Sequence, residues 1–182
     1  MIGDTIPGTT IDFGEYDQAI AYIRQMIDFT GGLSLGQVCK LTGLPETSIQ
    51  NWVKRGYVPH PERKRYYERH MSRILLISAL KDSMNIEDIG ELMVLINGDT
   101  DDETDDIVSE TELYRYLCEA IKGLENEAFT ENRVEDRIRI ILAEEKQNAG
   151  KLSMALKVMI YAYISGACFR QSDRYLQDLK KM

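Results

Sequence analysis

Few of the residues that mark familiar chemistries are present in number. Cysteine occurs three times, at Cys39, Cys118 and Cys168, far apart and with no CxxC pair. That excludes a disulfide framework and fits a reducing compartment. Histidine occurs twice, at His60 and His70, without the Cys or carboxylate spacing typical of a metal site, so no bound metal is expected. The chain has no Gly-rich phosphate loop, no nucleophile elbow and no spaced catalytic dyad. No enzyme activity and no cofactor are therefore expected. Positive charge is in deficit: the net charge is −8. Such a chain has no overall attraction for polyphosphate, and any nucleic-acid binding has to come from a local patch.

Long apolar runs are also scarce. The first residues, "MIGDTIPGTTIDFGEYD", carry no basic n-region and no apolar h-region of a secretory signal. The most apolar run, Met154 to Phe169, is 16 residues long and contains Lys157 and Ser165. It is too short and too interrupted for a membrane span, so a buried helix is expected. The expectation is a soluble cytoplasmic protein with no membrane partner.

What is present suffices for a folded domain. The 182 residues are 43% hydrophobic and 29% charged, which allows a core and argues against global disorder. Helical periodicity dominates, and no alternating strand of useful length is found, so the fold class is all-α. Tyr16, Ala19, Ile20, Ile23, Met26 and Ile27 share one face of a helix that Gly31-Gly32 ends. Ser34 and Gln37 form a capping-box pattern ahead of Leu35, Val38 and Leu41, and Gly43 turns the chain into "PETSIQNWVKRGY". Pro59 and Pro61 make residues 57–67 irregular. Further helices carry Met71, Ile74, Leu75 and Leu80, then Ile86, Ile89, Met93 and Ile96 after a cap at Asn85.

Composition changes abruptly at "NGDTDDETDD", Asn97 to Asp106, with six carboxylates and no base. It reads as a solvated linker. Laid on a calcium-loop template, it offers Asp99, Asp101, Glu103, Asp105 and Glu110, but has Thr104 where the turn needs Gly and Asp106 where an apolar residue belongs. A second capping box, Ser109 with Glu112, opens the C-terminal helices. The expected divisions are an N-terminal extension and helix over 1–32, a second unit over 33–97, an acidic linker over 98–108 and a C-terminal helical domain over 109–182. That last domain is the expected site of dimerisation or of an effector of unnamed chemistry.

Two short helices joined by a Gly-containing turn form the helix-turn-helix pattern. In the second, Ile49, Trp52 and Val53 fall on one side and Thr47, Gln50, Asn51 and Lys54 on the other. The outer set suits a DNA groove, since Gln and Asn can bond adenine N6 and N7 in pairs. An ordinary solvated face, with Lys54 and Arg55 complementing the helix dipole, accounts for the same residues. The segment Lys54 to Arg73, "KRGYVPHPERKRYYERHMSR", holds seven Lys and Arg against two Glu, with tyrosines interleaved. A basic island in an acidic chain favours the DNA reading.

On these residues the chain resembles MerR-type regulators, which bind DNA through a winged helix-turn-helix. "LSLGQVCKLTG" (33–43) and "SIQNWVKRGYV" (48–58) match the two helices, "PHPERKRYY" (59–67) stands at the wing, and "SRILLISALKDSMNIEDIGELMVLI" (72–96) matches the following pair. The whole chain resembles an uncharacterised bacterial family known as domain of unknown function number 1836, itself MerR-like. Two departures stand out: Gln50-Asn51-Trp52 replaces the usual Arg-Tyr-Tyr type run, and the wing is short. The resemblance implies a transcription regulator on double-stranded DNA. Thr47, Ser48, Gln50 and Asn51 would face bases, and Lys54, Arg55, Arg63, Lys64, Arg65 and Tyr66 would face phosphates. One small helix-turn-helix reads few base pairs, so a homodimer is expected. The alternative is a protein-interaction adaptor on the same scaffold, which the negative net charge and the altered second helix favour.

Overall fold

The computed structural model describes residues 5–12, 16–98, 100, 106–124 and 129–182, with the backbone alone at 16–20 and 22. Among these residues there are eight α-helices and no strand: α1 (Tyr16–Thr30), α2 (Leu35–Thr42), α3 (Glu46–Lys54), α4 (Glu68–Leu80), α5 (Ile86–Asn97), α6 (Glu110–Leu124), α7 (Glu131–Ile141) and α8 (Ala149–Leu179). Three isolated bridges, Thr5 with Asp12, Leu33 with Tyr66 and Glu62 with Arg65, are the only β-type pairings among them. The all-α expectation is met.

Helix ends follow from local chemistry. The Ser34 hydroxyl accepts from the Gln37 amide, and the Gln37 side chain accepts from the Ser34 amide at 2.8 Å, so two orphan donors are satisfied reciprocally. The Asn85 side chain caps α5 by accepting from the Asp88 amide, and Ser109 accepts from the Glu112 amide at the start of α6. The Glu112 carboxylate turns to Arg115. At the end of α3, Gly56 has φ 77°; its amide reaches the Val53 carbonyl and the Tyr57 amide reaches that of Trp52. This paired closure requires a left-handed residue, which glycine supplies without steric cost.

Helix α4 lies at the centre and packs against α2, α5, α6 and α8. Every residue from His70 to Leu80 is buried, so it is covered on all sides. The same was expected of Met154–Phe169, but α8 turns only one face inward, through Leu152, Leu156, Met159, Ile160 and Tyr163. Its other face is open: Met154 is 62% and Phe169 66% exposed. Within the described residues, α8 is the one helix long and apolar enough to cross a membrane by length and composition. It spans 31 residues, about 46 Å at 1.5 Å per residue.

The segment 98–108 separates α5 from α6 in sequence, while the helices on its two sides share one hydrophobic core. Asn97 is fully buried and donates to the Val108 carbonyl, and the Ile107 amide reaches Ile96. Residues 99 and 101–105, with most of the calcium-loop positions, lie outside the described residues. Glu110 of that template is engaged elsewhere, as follows. The N-terminal segment is docked as well: Ile6 is fully buried, and Tyr114 and Tyr163 donate to the Pro7 and Thr5 carbonyls at 2.8 and 3.2 Å.

A buried ionic cluster joins these parts. Arg73 of α4 and Glu110 of α6 are each 1% exposed and meet at 3.1 Å. Arg69 donates to the other Glu110 oxygen at 3.1 Å. The remaining Arg73 donors go to the Tyr57 carbonyl and the Thr100 hydroxyl, and Thr100 donates in turn to the Gly56 carbonyl. Burial draws the Arg73 guanidinium below its ordinary pKa, and the Glu110 charge and hydrogen bond oppose that. Removing one partner strands the other charge in an apolar interior, at a cost of about 3–5 kcal/mol. Glu110→Ala should therefore lower the unfolding free energy measured by urea titration by that amount, whereas Arg73→Met combined with Glu110→Leu should recover most of it. A single variant as stable as the parent would mean that water reaches the pair.

Candidate nucleic-acid interface

Helix α3 is held by its inner face. Ile49, Trp52 and Val53 are buried, and the three-and-four spacing that puts them together puts Thr47, Gln50, Asn51 and Lys54 in solvent. Ser48 is half-buried. Full burial of apolar side chains of this size contributes roughly 1.5–3 kcal/mol each, enough to fix the rotation of a nine-residue helix. The polar side chains are thus displayed in a set orientation.

The segment expected to form a wing is a minimal hairpin. The Arg65 amide donates to the Glu62 carbonyl at 2.8 Å, and the two residues between, Arg63 and Lys64, have φ 48° and 65°. Positive φ at both central positions is the type I′ pattern, which Asn-Gly fits best. Holding two L-residues with long side chains there costs about 1 kcal/mol or more each. Arg63, Lys64 and Arg65 are all exposed, so the strained tip presents three bases.

Behind the tip the hairpin is pinned. The Tyr66 amide and carbonyl exchange bonds with those of Leu33 at 2.9 and 2.8 Å. His70 accepts from the Tyr67 amide on Nδ1 at 3.2 Å and faces the His60 carbonyl with Nε2 at 3.0 Å. A neutral ring with its proton on Nε2 satisfies both contacts. Gly32 lies so close that a Cβ there would meet the Arg65 Cβ at 2.8 Å.

Tyr66 departs from the expected phosphate role. It is 4% exposed, with its ring in the core edge-on to His70, and burial raises its hydroxyl pKa. Its part is to anchor the hairpin. The basic island is also smaller than its composition suggests. Arg73 and Arg69 bind Glu110, and Arg55 is bound by Glu87 at 2.6 Å while lying over the Tyr57 ring. That hydrogen bond holds Glu87 below the usual carboxylate range. Arg55 stays exposed but paired, and the exposed bases of the island with no ion pair among the described residues are Lys54, Arg63, Lys64 and Arg65. Sequence reasoning did not foresee the structural roles of Arg73, Glu110, Thr100 and His70. The available signal was that Arg73 and His70 sit in a run apolar on every side of α4, where a charged or polar ring must find a partner.

The chain belongs to the family described as Domain of unknown function (DUF1836), which it matches over residues 15–117. That span runs past 98–108 into α6 and includes both Arg73 and Glu110. The uncharacterized protein YkrK of Bacillus subtilis (strain 168) is 32% identical over 111 residues, 57% of this chain and 48% of that protein. The match thus spans about half the length of that curated relative. No solved structure matches the chain. Among the described residues no cluster of His, Cys, Asp and Glu could hold a metal ion.

The turn geometry generates a direct check. Arg63→Asn with Lys64→Gly places the favoured pair at the left-handed positions and should raise stability by roughly 1–2 kcal/mol. Thermal unfolding would read this as a Tm higher by several degrees, and a lower Tm would show that the turn has another form.

Proposed function

We propose that the protein is a cytoplasmic, non-enzymatic transcription regulator that binds double-stranded DNA through a MerR-like winged helix-turn-helix over residues 33–97. Helices α2 and α3 are the helix pair, and the 59–67 hairpin is a short wing. The observation that carries this reading is the hairpin tip: two bases occupy left-handed positions where Asn and Gly would be less strained. Strain of that kind is retained where side chains have work at the surface. Thr47, Gln50 and Asn51 would read base edges, with Ser48 at the margin, and Lys54, Arg63, Lys64 and Arg65 would contact phosphates. Arg55 reaches phosphate only by leaving Glu87.

The open face of α8 supports a homodimer. Met154, Val158 and Tyr161, then Tyr175 and Leu179, are exposed and recur at three- and four-residue steps with Ser165, Cys168 and Ser172 between them. Apolar residues at that period, on the stretches either side of this small-residue centre, have the spacing by which helices pair. Tyr175→Glu with Leu179→Glu should shift the particle from dimer to monomer mass in sedimentation; a parent protein that already sediments as a monomer would remove the dimer.

A protein-interaction adaptor is the second reading. It is favoured by the internal ion pairs that bury Arg73 and occupy Arg69 and Arg55 with carboxylates. Selection of genomic fragments on the purified protein separates the two, because an adaptor yields a flat enrichment profile. On a selected site, Lys64→Ala with Arg65→Ala should weaken binding to all sequences and flatten the salt dependence by about two phosphate contacts. Gln50→Ala should change sequence preference while leaving nonspecific affinity largely intact. Unchanged binding in the Lys64 and Arg65 variant would refute the wing.

A further inference from the structure

A cavity of about 220 Å³ lies between α1, α4 and α6, apart from the α3 surface. Its floor is apolar: Ile23, Ile27, Met71, Leu75 and Tyr114 are all buried core residues. A dry cavity of about 150 Å³ lined in this way accepts one benzene ring, so this one has room for a substituted ring. Two hydroxyls interrupt the floor. Ser72 donates to Thr111 across 3.3 Å, long for an O–H···O bond. The Thr111 proton and the Ser72 lone pairs are left for a guest.

The mouth decides what charge a guest can carry. Arg24 is bound by Glu68 at 2.7 Å, and Arg115 is held by Glu112 and Glu119. Both guanidiniums of the rim are already matched by carboxylates, Arg24 by Glu68 and Arg115 by Glu112 and Glu119, so no free positive charge faces the mouth. An anionic guest would have to displace a carboxylate already in place, and a cation would have to displace an arginine. An uncharged guest displaces neither.

We propose that this cavity is a binding site for a small uncharged molecule with one apolar ring and one hydroxyl, of the phenol class, its hydroxyl bonded to Ser72 and Thr111. The site stands independently of the DNA reading, because binding is read on the protein alone. Its position gives occupancy a route to the hairpin: α1 ends at Gly31-Gly32 beside Leu33, which pairs with Tyr66, and Glu68 of the rim follows Tyr66 by two residues.

The probes are 4-methylphenol, toluene and 4-methylbenzoate, titrated into the full chain and followed by methyl NMR with Tm as a second readout. Expected are saturable shifts at the methyls of Ile23, Ile27, Met71 and Leu75, and binding of 4-methylphenol roughly three- to tenfold tighter than toluene. Thr111→Val keeps the shape and removes one hydroxyl, and should cut that preference to twofold or less while toluene binds as before. Ser72→Ala, checked for an unchanged fold by the same spectra, should act in the same direction. No saturable shift with either neutral probe would overturn the site. Tighter binding of 4-methylbenzoate would overturn the uncharged class, and a preference untouched in both variants would overturn the hydroxyl pair.

Discussion

Arg73 and Glu110 face each other where neither has water, and most of the architecture is arranged so that they can. A buried ion pair adds little net stability, because the desolvation of two charges offsets their attraction. Its force is conditional: once α4 is covered on every side, Arg73 must have a carboxylate. Glu110 at the start of α6 is that carboxylate. The remaining guanidinium donors then reach the Tyr57 carbonyl and the Thr100 hydroxyl. One side chain thereby ties together the first residue of α6, the chain just after α3 and Thr100 of the acidic segment. The family match across residues 15–117 takes in both charges, so the pair lies inside the unit shared with relatives.

The exposed surface of α3 and the hairpin depend on what stands behind them. Trp52 and Ile49 fix the rotation of α3, and the Gly56 closure fixes its end. Tyr66 and His70 hold the hairpin root so that a tip with unfavourable φ angles can persist. Strain at residues 63 and 64 is tolerable because the hydrogen bonds at 65 to 67 over-determine the turn. The hairpin root leads straight into α4, and α3 reaches that helix through α2 and through the Tyr57 carbonyl that Arg73 holds; α4 also forms a wall of the phenol-sized cavity.

How much of this could be read beforehand differs between elements for a physical reason. The caps at Ser34, Asn85 and Ser109, the glycines at 31–32 and 43, and the proline-broken stretch at 57–67 are interactions between residues at most four or five apart. Their geometry is nearly complete in the local sequence. The outward face of α3 was legible as well, because helical spacing sorts its side chains without knowledge of what they pack on. Tyr66 was not, since an aromatic in a basic run reads as a surface residue until Leu33, half the domain away in the chain, is known to pair with its backbone. The acidic stretch looked like a plain divider because nothing local says that Thr100 reaches Gly56.

By itself the sequence determined the helical class, the caps at Ser34, Asn85 and Ser109, the inner and outer faces of α3, and the membership of a helical family; these rest on short-range periodicity and capping. Tertiary structure alone decided which bases are left without a carboxylate partner. Arg69, Arg73 and Arg55 look equal to Arg63 and Lys64 in composition, and they differ only because carboxylates at 110 and 87 fold back onto them. Desolvation and pairing act through space, between residues 32 to 41 positions apart, and no local pattern encodes them.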